Sequence, residues 1–393
     1  MQKLFLFFVL TFSLSPVFGQ LKTSDNIVVG AERAGAYTPL LYGKKVGIVA
    51  NQTSVVNQQH LIDFLISKNV NVVKIFAPEH GFRGKASAGE TIKDGKDVKT
   101  GLPVISLYGS NKKPQQSQLT DIDVMIFDIQ DVGARFYTYI STLTYVMEAC
   151  AEAGKTLMVL DRPNPNGYYV DGPILEDGYQ SFVGMHKIPI VHGMTIGEYA
   201  KMVNGEGWLK GGTSCKLEVV TCTGWDHKTK YSLPIKPSPN LPNDLAIAMY
   251  PSLCLFEGTT VSVGRGTEIP FQQIGAPWFT EGTTTFTPAD NEGAKNPKYE
   301  GQSCKGFDLR DFAGYYIVGY GELYLYWLTE AYDVCPDKEN FFTNFFNTLA
   351  GTDKLKAQIK AGTSVEEIKK SWQPGLNQFK NIRKQYLLYT DFE

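Results

Sequence analysis

Three carboxylates in the first half of the chain could support acid and base chemistry. Glu79 precedes a glycine-flanked loop, and the apolar residues around it favour a protonated carboxyl group. Cleavage of a glycosidic bond needs such a group to protonate the leaving oxygen, and usually a second group to supply or position the nucleophile. Asp128 and Asp131 are the candidates for that second catalytic role. Simpler roles stay open, because Asp128 could cap a helix and the other two carboxylates could pair with arginines four residues further along the chain.

These carboxylates belong to a larger set of polar residues that follow five short apolar runs. The runs, at 46–50, 72–76, 104–107, 124–127 and 157–160, alternate with helical patterns, which is typical of βαβ units that build a parallel sheet. The carboxyl ends of parallel strands meet at one edge, and ligands of open α/β sheets bind there. This edge is therefore the predicted site. The polar residues that follow the runs include Asn51, Glu79, His80, Arg83, Asp128, Gln130, Asp131, Arg135, Asp161, Arg162 and Asn164.

Helices are predicted between and after these strands. Apolar residues at three- and four-residue spacing indicate helices at 58–67 and 138–153, and Gly154 stands where the second should end. Thr195 and Glu198 form a capping box, which predicts that another helix begins there. The first part of the chain is thus predicted to be an α/β domain.

A proline-rich segment at 234–242 marks the predicted domain boundary. The predicted domains are an α/β domain at 25–242 and a smaller α+β domain at 243–393. In the second domain the predicted helical regions are 315–332 and 341–370, and the predicted strands are 259–263 and 386–389.

The N-terminus has the pattern of a signal peptide. One lysine precedes a short apolar stretch, so residues 1–19 are predicted to be removed and the mature chain to begin near Gln20. The protein is therefore expected to be exported, either periplasmic or secreted, with no integral membrane segment. Six cysteines would permit disulfides, although buried free thiols are the simpler interpretation. A formal net charge of −2 gives no reason to expect nucleic acid as a partner.

Several catalytic classes lack their sequence motifs. The first apolar run is followed by Asn51-Gln52-Thr53-Ser54 rather than the glycine-rich turn of dinucleotide-binding proteins. No G-x-S-x-G nucleophile motif and no H-E-x-x-H metal motif occurs. No cofactor and no metal are therefore expected, and carboxylate chemistry is favoured.

Several motifs, spread in order over nearly the whole chain, together resemble the exo-β-N-acetylmuramidase family. Each motif alone is weak, but their shared order makes the resemblance specific. The motifs are Asn51-Gln52-Thr53, the segments 78–84, 127–139, 161–165 and 237–242, Phe256-Glu257-Gly258-Thr259, Gly264-Arg265-Gly266-Thr267 and Pro270-Phe271.

The resemblance implies a Rossmann-like domain joined to a smaller C-terminal domain, with the site in the cleft between them. It implies release of terminal N-acetylmuramic acid from peptidoglycan-derived saccharides, and it places Glu79, Glu257 and Arg265 at the cleft. The acetamido group of this sugar also permits a substrate-assisted mechanism. A non-catalytic muropeptide-binding protein and a cell-wall amidase or esterase remain alternatives.

N-acetylmuramic acid carries a lactyl carboxylate, which an arginine can bind through two parallel hydrogen bonds. Arg83, Arg135, Arg162 and Arg265 are the candidates for this role. The other residues predicted to bind substrate are Asn51, His80, Gln130, Tyr137, Asn164, Asn240 and Glu257.

Overall fold

A computed structural model describes residues 26–79, 81–82, 94–317, 319 and 321–393. The predicted signal peptide, His80 and Arg83 lie outside the described residues. The strands are β1 (Lys45–Ala50), β2 (Val55–Val56), β3 (Gln59–His60), β4 (Asn71–Ala77), β5 (Gly95–Lys96), β6 (Pro103–Ser106), β7 (Val124–Asp128), β8 (Thr156–Leu160), β9 (Lys216–Val220), β10 (Gln273–Ala276), β11 (Thr284–Phe286) and β12 (Cys304–Asp308). The helices are α1 (Ala34–Leu41), α2 (Leu61–Ser67), α3 (Gln116–Leu119), α4 (Tyr139–Ala153), α5 (Ile196–Gly205), α6 (Asp244–Leu253), α7 (Tyr326–Val334), α8 (Phe345–Ala350), α9 (Lys354–Lys360) and α10 (Val365–Arg383).

The N-terminal domain is built on a seven-stranded sheet of order β5-β6-β4-β1-β7-β8-β9. Six strands are parallel, and only the short edge strand β5 pairs antiparallel. From the centre of the sheet, β1, β4 and β6 follow one another toward one edge, and β7, β8 and β9 follow one another toward the other edge. This is the doubly wound, Rossmann-like strand order. The five predicted strands and the predicted Rossmann-like fold are confirmed.

Both faces of this sheet are buried, as the apolar runs require. Successive residues of a strand point to opposite faces, so Ile48 and Val49 of β1 belong to two different hydrophobic cores. The core that contains Ile48 also contains Tyr37 of α1 and Leu65 of α2. The core that contains Val49 extends through α4 and α5 into the C-terminal domain, where it includes Phe346.

The local helix signals also act as predicted. Gly154 ends α4 in the left-handed conformation, at φ +65°, which costs a glycine least. The Thr195 side chain accepts a hydrogen bond from the backbone N–H of Glu198, and the Glu198 carboxylate accepts from the N–H of Thr195. Both predicted helix ends are confirmed.

The C-terminal domain contains a three-stranded antiparallel sheet of order β10-β12-β11 and several helices. The predicted strand at 259–263 is wrong: only isolated bridges form there, from Thr259 to Phe342 and from Ser262 to Gly275, and the carbonyls of Thr259 and Val261 accept from the Lys298 ammonium. The predicted strand at 386–389 is also wrong. This segment packs against the first turn of α5, where the backbone N–H of Leu388 donates a hydrogen bond to the Glu198 carboxylate.

The remaining sequence interpretations concern thiols and membranes. All six cysteines are buried and free, as the simpler interpretation held. Within the described part of the chain, no helix has the length and apolar character needed to span a membrane.

Candidate active site

A cavity of about 410 Å³ lies at the carboxyl ends of β4 and β6. The N-terminal domain contributes Glu79, Tyr108 and the segment 136–139 to its lining, and residues of the C-terminal domain such as Tyr250 complete it. Its volume falls in the range of small-molecule sites, about 300–1000 Å³. The cavity is therefore large enough for a sugar.

Glu79 is the carboxylate that this cavity presents on the N-terminal side. It follows β4, and its Oε2 accepts a hydrogen bond of 2.9 Å from Oγ1 of Thr138, the residue before α4. No other hydrogen bond to its carboxylate occurs among the described residues. The pKa of the neighbouring Tyr139 is raised, mainly by burial and to a smaller extent by the negative charge of Glu79. The Tyr139 hydroxyl therefore stays protonated.

Aromatic rings form much of the remaining wall. Tyr137 makes edge-to-face contacts with Tyr139 and Tyr250, at centroid distances of 4.9 and 5.8 Å, and Tyr250 contacts Phe271 at 5.1 Å. The Tyr137 hydroxyl donates to the carbonyl of Pro237 in the proline-rich segment. Such rings combine apolar surface with polar ends, which suits the faces of a sugar.

Glu257 and Arg265 line the cavity from the C-terminal domain as an ion pair. Arg265 Nε lies 2.5 Å from Glu257 Oε1, and Arg265 Nη2 lies 3.1 Å from Oε2. The guanidinium also lies 5.3 Å from the centre of the Phe271 ring. Each charge is thus largely neutralised by the other, although both side chains remain about a quarter exposed.

Asn240 is another predicted binding residue that the structure places in the cavity lining, beside Ser238 and Leu241. Its Nδ2 donates to the carbonyl of Gly293 at 2.5 Å. The amide is therefore fixed by a segment of the C-terminal domain.

Asp128, predicted as a catalytic carboxylate, is not part of the cavity lining. Arg162 Nε and Nη2 donate to its two oxygens at 2.6 and 3.0 Å, and both residues are almost completely buried. The backbone carbonyl of Asp128 accepts from the Ser54 hydroxyl. The ion pair lies at the carboxyl ends of β1 and β7, where the strand order reverses and where Rossmann-like sheets usually bind their ligand. Because Asp128 occupies its guanidinium, Arg162 is not free to bind substrate.

Three predicted binding residues hold loops together instead of lining the cavity. Asn51 accepts two hydrogen bonds from Thr53 and donates to the Tyr139 hydroxyl. Gln130 donates to the carbonyl of Pro163 at 2.7 Å. Asn164 donates to a backbone carbonyl at 2.8 Å, and all three amides are buried. In this structure these three amides support the loops around the cavity.

Asp131, also predicted to be catalytic, is buried and is not part of the cavity lining. Burial raises the pKa of its carboxyl group to about 7, although the N–H of Gly133 donates to it. His192 Nε2 lies 3.8 Å from Asp131 Oδ2, and burial lowers the pKa of His192 to about 3. The pair belongs to the interior.

Arg135, predicted as a candidate to bind the lactyl carboxylate, is completely buried and lies outside the cavity lining. Nη1 donates to the carbonyls of Pro173 and Ile188, both at 2.8 Å. Nη2 donates to the carbonyls of Leu349 and Ala350 at 3.1 and 2.7 Å. Burial without a carboxylate partner lowers the pKa of the guanidinium to about 9. Arg135 thus connects the two domains.

Lys112, Thr138 and Tyr250 are among the cavity residues that the sequence analysis did not single out. Lys112 stands only a few residues after the third apolar run, and Thr138 lies within one of the resembling segments, so the position of each in the sequence is a signal for the cavity. Tyr250 lies inside the apolar helix α6, and no sequence signal distinguishes it from a core residue.

The Rossmann-like sheet and the aromatic cavity with its glutamate define an α/β protein of the kind that binds and processes a saccharide between two domains. The comparisons specify the family. Residues 46–245 match the N-terminal region of the exo-β-N-acetylmuramidase NamZ family, and residues 248–389 match its C-terminal region. The chain belongs to this family.

Individual relatives agree with this assignment. The chain is 40% identical over 380 residues to the peptidoglycan β-N-acetylmuramidase NamZ of Bacillus subtilis strain 168, which covers 90% of this chain and 89% of the relative. A crystal structure of a DUF1343 family protein from Bacteroides fragilis is 48% identical with a TM-score of 0.87, covering 93% of this chain and 99% of that one. A second B. fragilis protein of this family is 31% identical with a TM-score of 0.80, covering 94% and 100%.

Proposed function

We propose that the protein is an exo-acting β-N-acetylmuramidase, which releases terminal N-acetylmuramic acid from the non-reducing end of peptidoglycan fragments. The observation that carries this proposal is the position of Glu79 in an aromatic-walled cavity of a chain that belongs to the exo-β-N-acetylmuramidase family. The B. subtilis relative is itself a peptidoglycan β-N-acetylmuramidase. The signal-like residues 1–19 support export to this substrate, and N-terminal sequencing of the mature protein should then begin near Gln20.

Glu79 is the proposed general acid. Thr138 holds one oxygen of its carboxylate, and the other oxygen can carry the proton that the leaving sugar needs. Protonating the glycosidic oxygen turns a poor leaving group into a neutral hydroxyl, which is the central requirement of glycoside hydrolysis.

The second catalytic group is proposed to come from the substrate. Glu257 is the other carboxylate of the described cavity lining, but Arg265 holds both of its oxygens, so it is a poor nucleophile. The acetamido carbonyl oxygen of the muramic acid can instead attack its own anomeric carbon. Glu257 and Arg265 then serve to shape and position the sugar site.

Glu79→Gln tests the general acid. Glutamine keeps the volume and can still accept from Thr138, so the variant should fold, but it cannot donate the proton. Hydrolysis of a natural disaccharide should fall by about 10² to 10⁴, the usual contribution of general acid catalysis. An aryl muraminide with a nitrophenol leaving group needs little protonation and should lose much less.

Glu257→Gln is the matched comparison in the same cavity. It should lower the rates on both substrates by a similar factor, because a positioning residue acts on the common sugar. If Glu79→Gln gave equal losses on the two substrates, the acid would be another residue. If the unmodified protein bound muropeptides and released no sugar, it would be a binding protein.

A further inference from the structure

Lys112 places a positive charge in the cavity that no carboxylate of the described chain neutralises. It is half-buried in the lining that also contains Glu79, and no ion pair joins its ammonium to any described acidic residue. Its neighbour Lys113 is different, since its Nζ lies 3.0 Å from Glu148 and 2.7 Å from Glu152. The two adjacent lysines therefore have different electrostatic surroundings.

An aromatic ring holds the Lys112 ammonium in place. Its Nζ lies 4.4 Å from the centre of the Phe182 ring, which also lines the cavity. That ring stacks on Tyr145 of α4, at a centroid distance of 6.1 Å and an interplanar angle of 12°. A cation over the face of an aromatic ring is attracted to the ring, and this contact does not neutralise the positive charge as a carboxylate would. The ammonium is thus positioned for an anionic group of a ligand.

The arginines of the described chain that were expected to bind such a group are already occupied. Arg162 pairs with Asp128, Arg265 pairs with Glu257, and Arg135 binds four backbone carbonyls. Lys112 is the remaining positive charge in the described cavity lining.

We propose that Lys112 binds the lactyl carboxylate of the terminal N-acetylmuramic acid and thereby selects this sugar over N-acetylglucosamine. The inference rests on the proposed function, because it takes the sugar from there. The lactyl carboxylate is the one ionised group of a terminal muramic acid without attached peptide, and it is what N-acetylglucosamine lacks. The attraction between an ammonium and a carboxylate is stronger when the ammonium is half-buried than when it is fully solvated, because the effective dielectric constant around it is lower.

The test compares Lys112→Met with Lys112→Arg on two aryl β-muraminides, one with a free lactyl carboxylate and one with the carboxylate converted to an amide. Methionine keeps the length of the side chain and removes its charge. It should lower kcat/KM on the free acid by about 10- to 100-fold, the usual value of a hydrogen bond to a charged group, and leave the amide substrate unchanged. Arginine should retain most of the activity on the free acid.

Lys113→Met is the matched control, since its ammonium is paired outside the cavity lining, and it should leave the ratio between the two substrates unchanged. The proposal is overturned if Lys112→Met leaves that ratio unchanged, whether both rates persist or both fall together.

A separate measurement distinguishes this failure from failure of the proposed function. Calorimetric titration of the unmodified protein and Lys112→Met with free N-acetylmuramic acid and N-acetylglucosamine needs no turnover. A preference for muramic acid that disappears in Lys112→Met supports the proposal even for a protein that hydrolyses nothing, and an unchanged preference overturns it.

Discussion

Glu79 and Asp128 are both carboxylates at the carboxyl edge of the same sheet, yet their surroundings give them different roles. Glu79 accepts a hydrogen bond from an uncharged hydroxyl and faces the cavity. Asp128 is completely buried, and both of its oxygens accept from Arg162. A buried carboxylate with a bidentate arginine stabilises structure and has no access to a substrate.

Asp128→Ala should therefore reduce stability much more than it alters the chemistry of the folded protein. Removing one partner leaves the Arg162 charge buried and unpaired, which typically costs about 3–5 kcal/mol. Denaturation in urea measures the loss. The control is Asp177→Ala, whose carboxylate forms a solvent-exposed pair with Lys187 and whose loss should change the free energy of unfolding little. If Asp128→Ala were as stable as the unmodified protein but had no hydrolytic activity, Asp128 would be a catalytic residue and not a structural one.

At the scale of elements, the N-terminus of α5 connects the sheet to the end of the chain. Asp161, just after β8, accepts from the Thr195 hydroxyl at 2.7 Å, from the N–H of Gly197 at 2.8 Å and from the Tyr389 hydroxyl at 2.6 Å. Burial raises the pKa of this carboxyl group to about 6 even though three donors favour its ionised form. The helix cap thus has a tertiary partner as well as a local one.

Thr195→Ala should cost more than the loss of an ordinary helix cap. Removing a capping hydroxyl costs about 0.5–2 kcal/mol, and here Asp161 also loses a buried donor. Ser364→Ala is the comparison, because Ser364 caps the exposed start of α10 with the same capping box. Thermal unfolding of both variants, with Thr195→Ser retaining stability, checks this expectation. Equal losses at the two caps would show that the contact with Asp161 adds nothing.

At the scale of the whole molecule, buried arginines join distant parts of the chain. Arg135 binds the carbonyls of Leu349 and Ala350 in α8, 214 and 215 residues further along. Arg383 of α10 donates to the carbonyl of Gly193 at 3.0 and 2.7 Å and pairs with Asp391. These contacts, together with the shared hydrophobic core, connect the two domains.

Arg135→Met should loosen the connection between the domains. Four buried carbonyls lose their donor, so the expected cost is about 3 kcal/mol or more. Hydrogen exchange should accelerate in α8 (Phe345–Ala350) more than in α5. Arg310→Met, which removes an exposed pair with Asp308, should leave both rates unchanged. Equal acceleration of α5 and α8 would contradict a specific role in the contact between domains.

The sequence by itself determined the fold of the N-terminal domain, because that fold depends on signals that act over short distances. Apolar runs become parallel strands buried on both faces, and Gly154 and the Thr195 capping box end or begin helices through their own backbone preferences. In the C-terminal domain the apolar run at 259–263 forms only isolated bridges. Carbonyls at 256–261 there accept from Lys298, a long-range contact that no local pattern predicts.

The sequence also determined which polar residues collect at the carboxyl edge, but only the tertiary structure decided which of them face the cavity. Asp128 meets Arg162 across 34 residues, and Arg135 meets the carbonyls of Leu349 and Ala350 across more than two hundred. No local pattern encodes either pairing. A polar group that finds a buried partner becomes part of the interior, because leaving it unpaired there would cost too much free energy. Glu79 and Lys112 reach the cavity and meet no opposite charge in the described chain, and that is why they are left for a substrate.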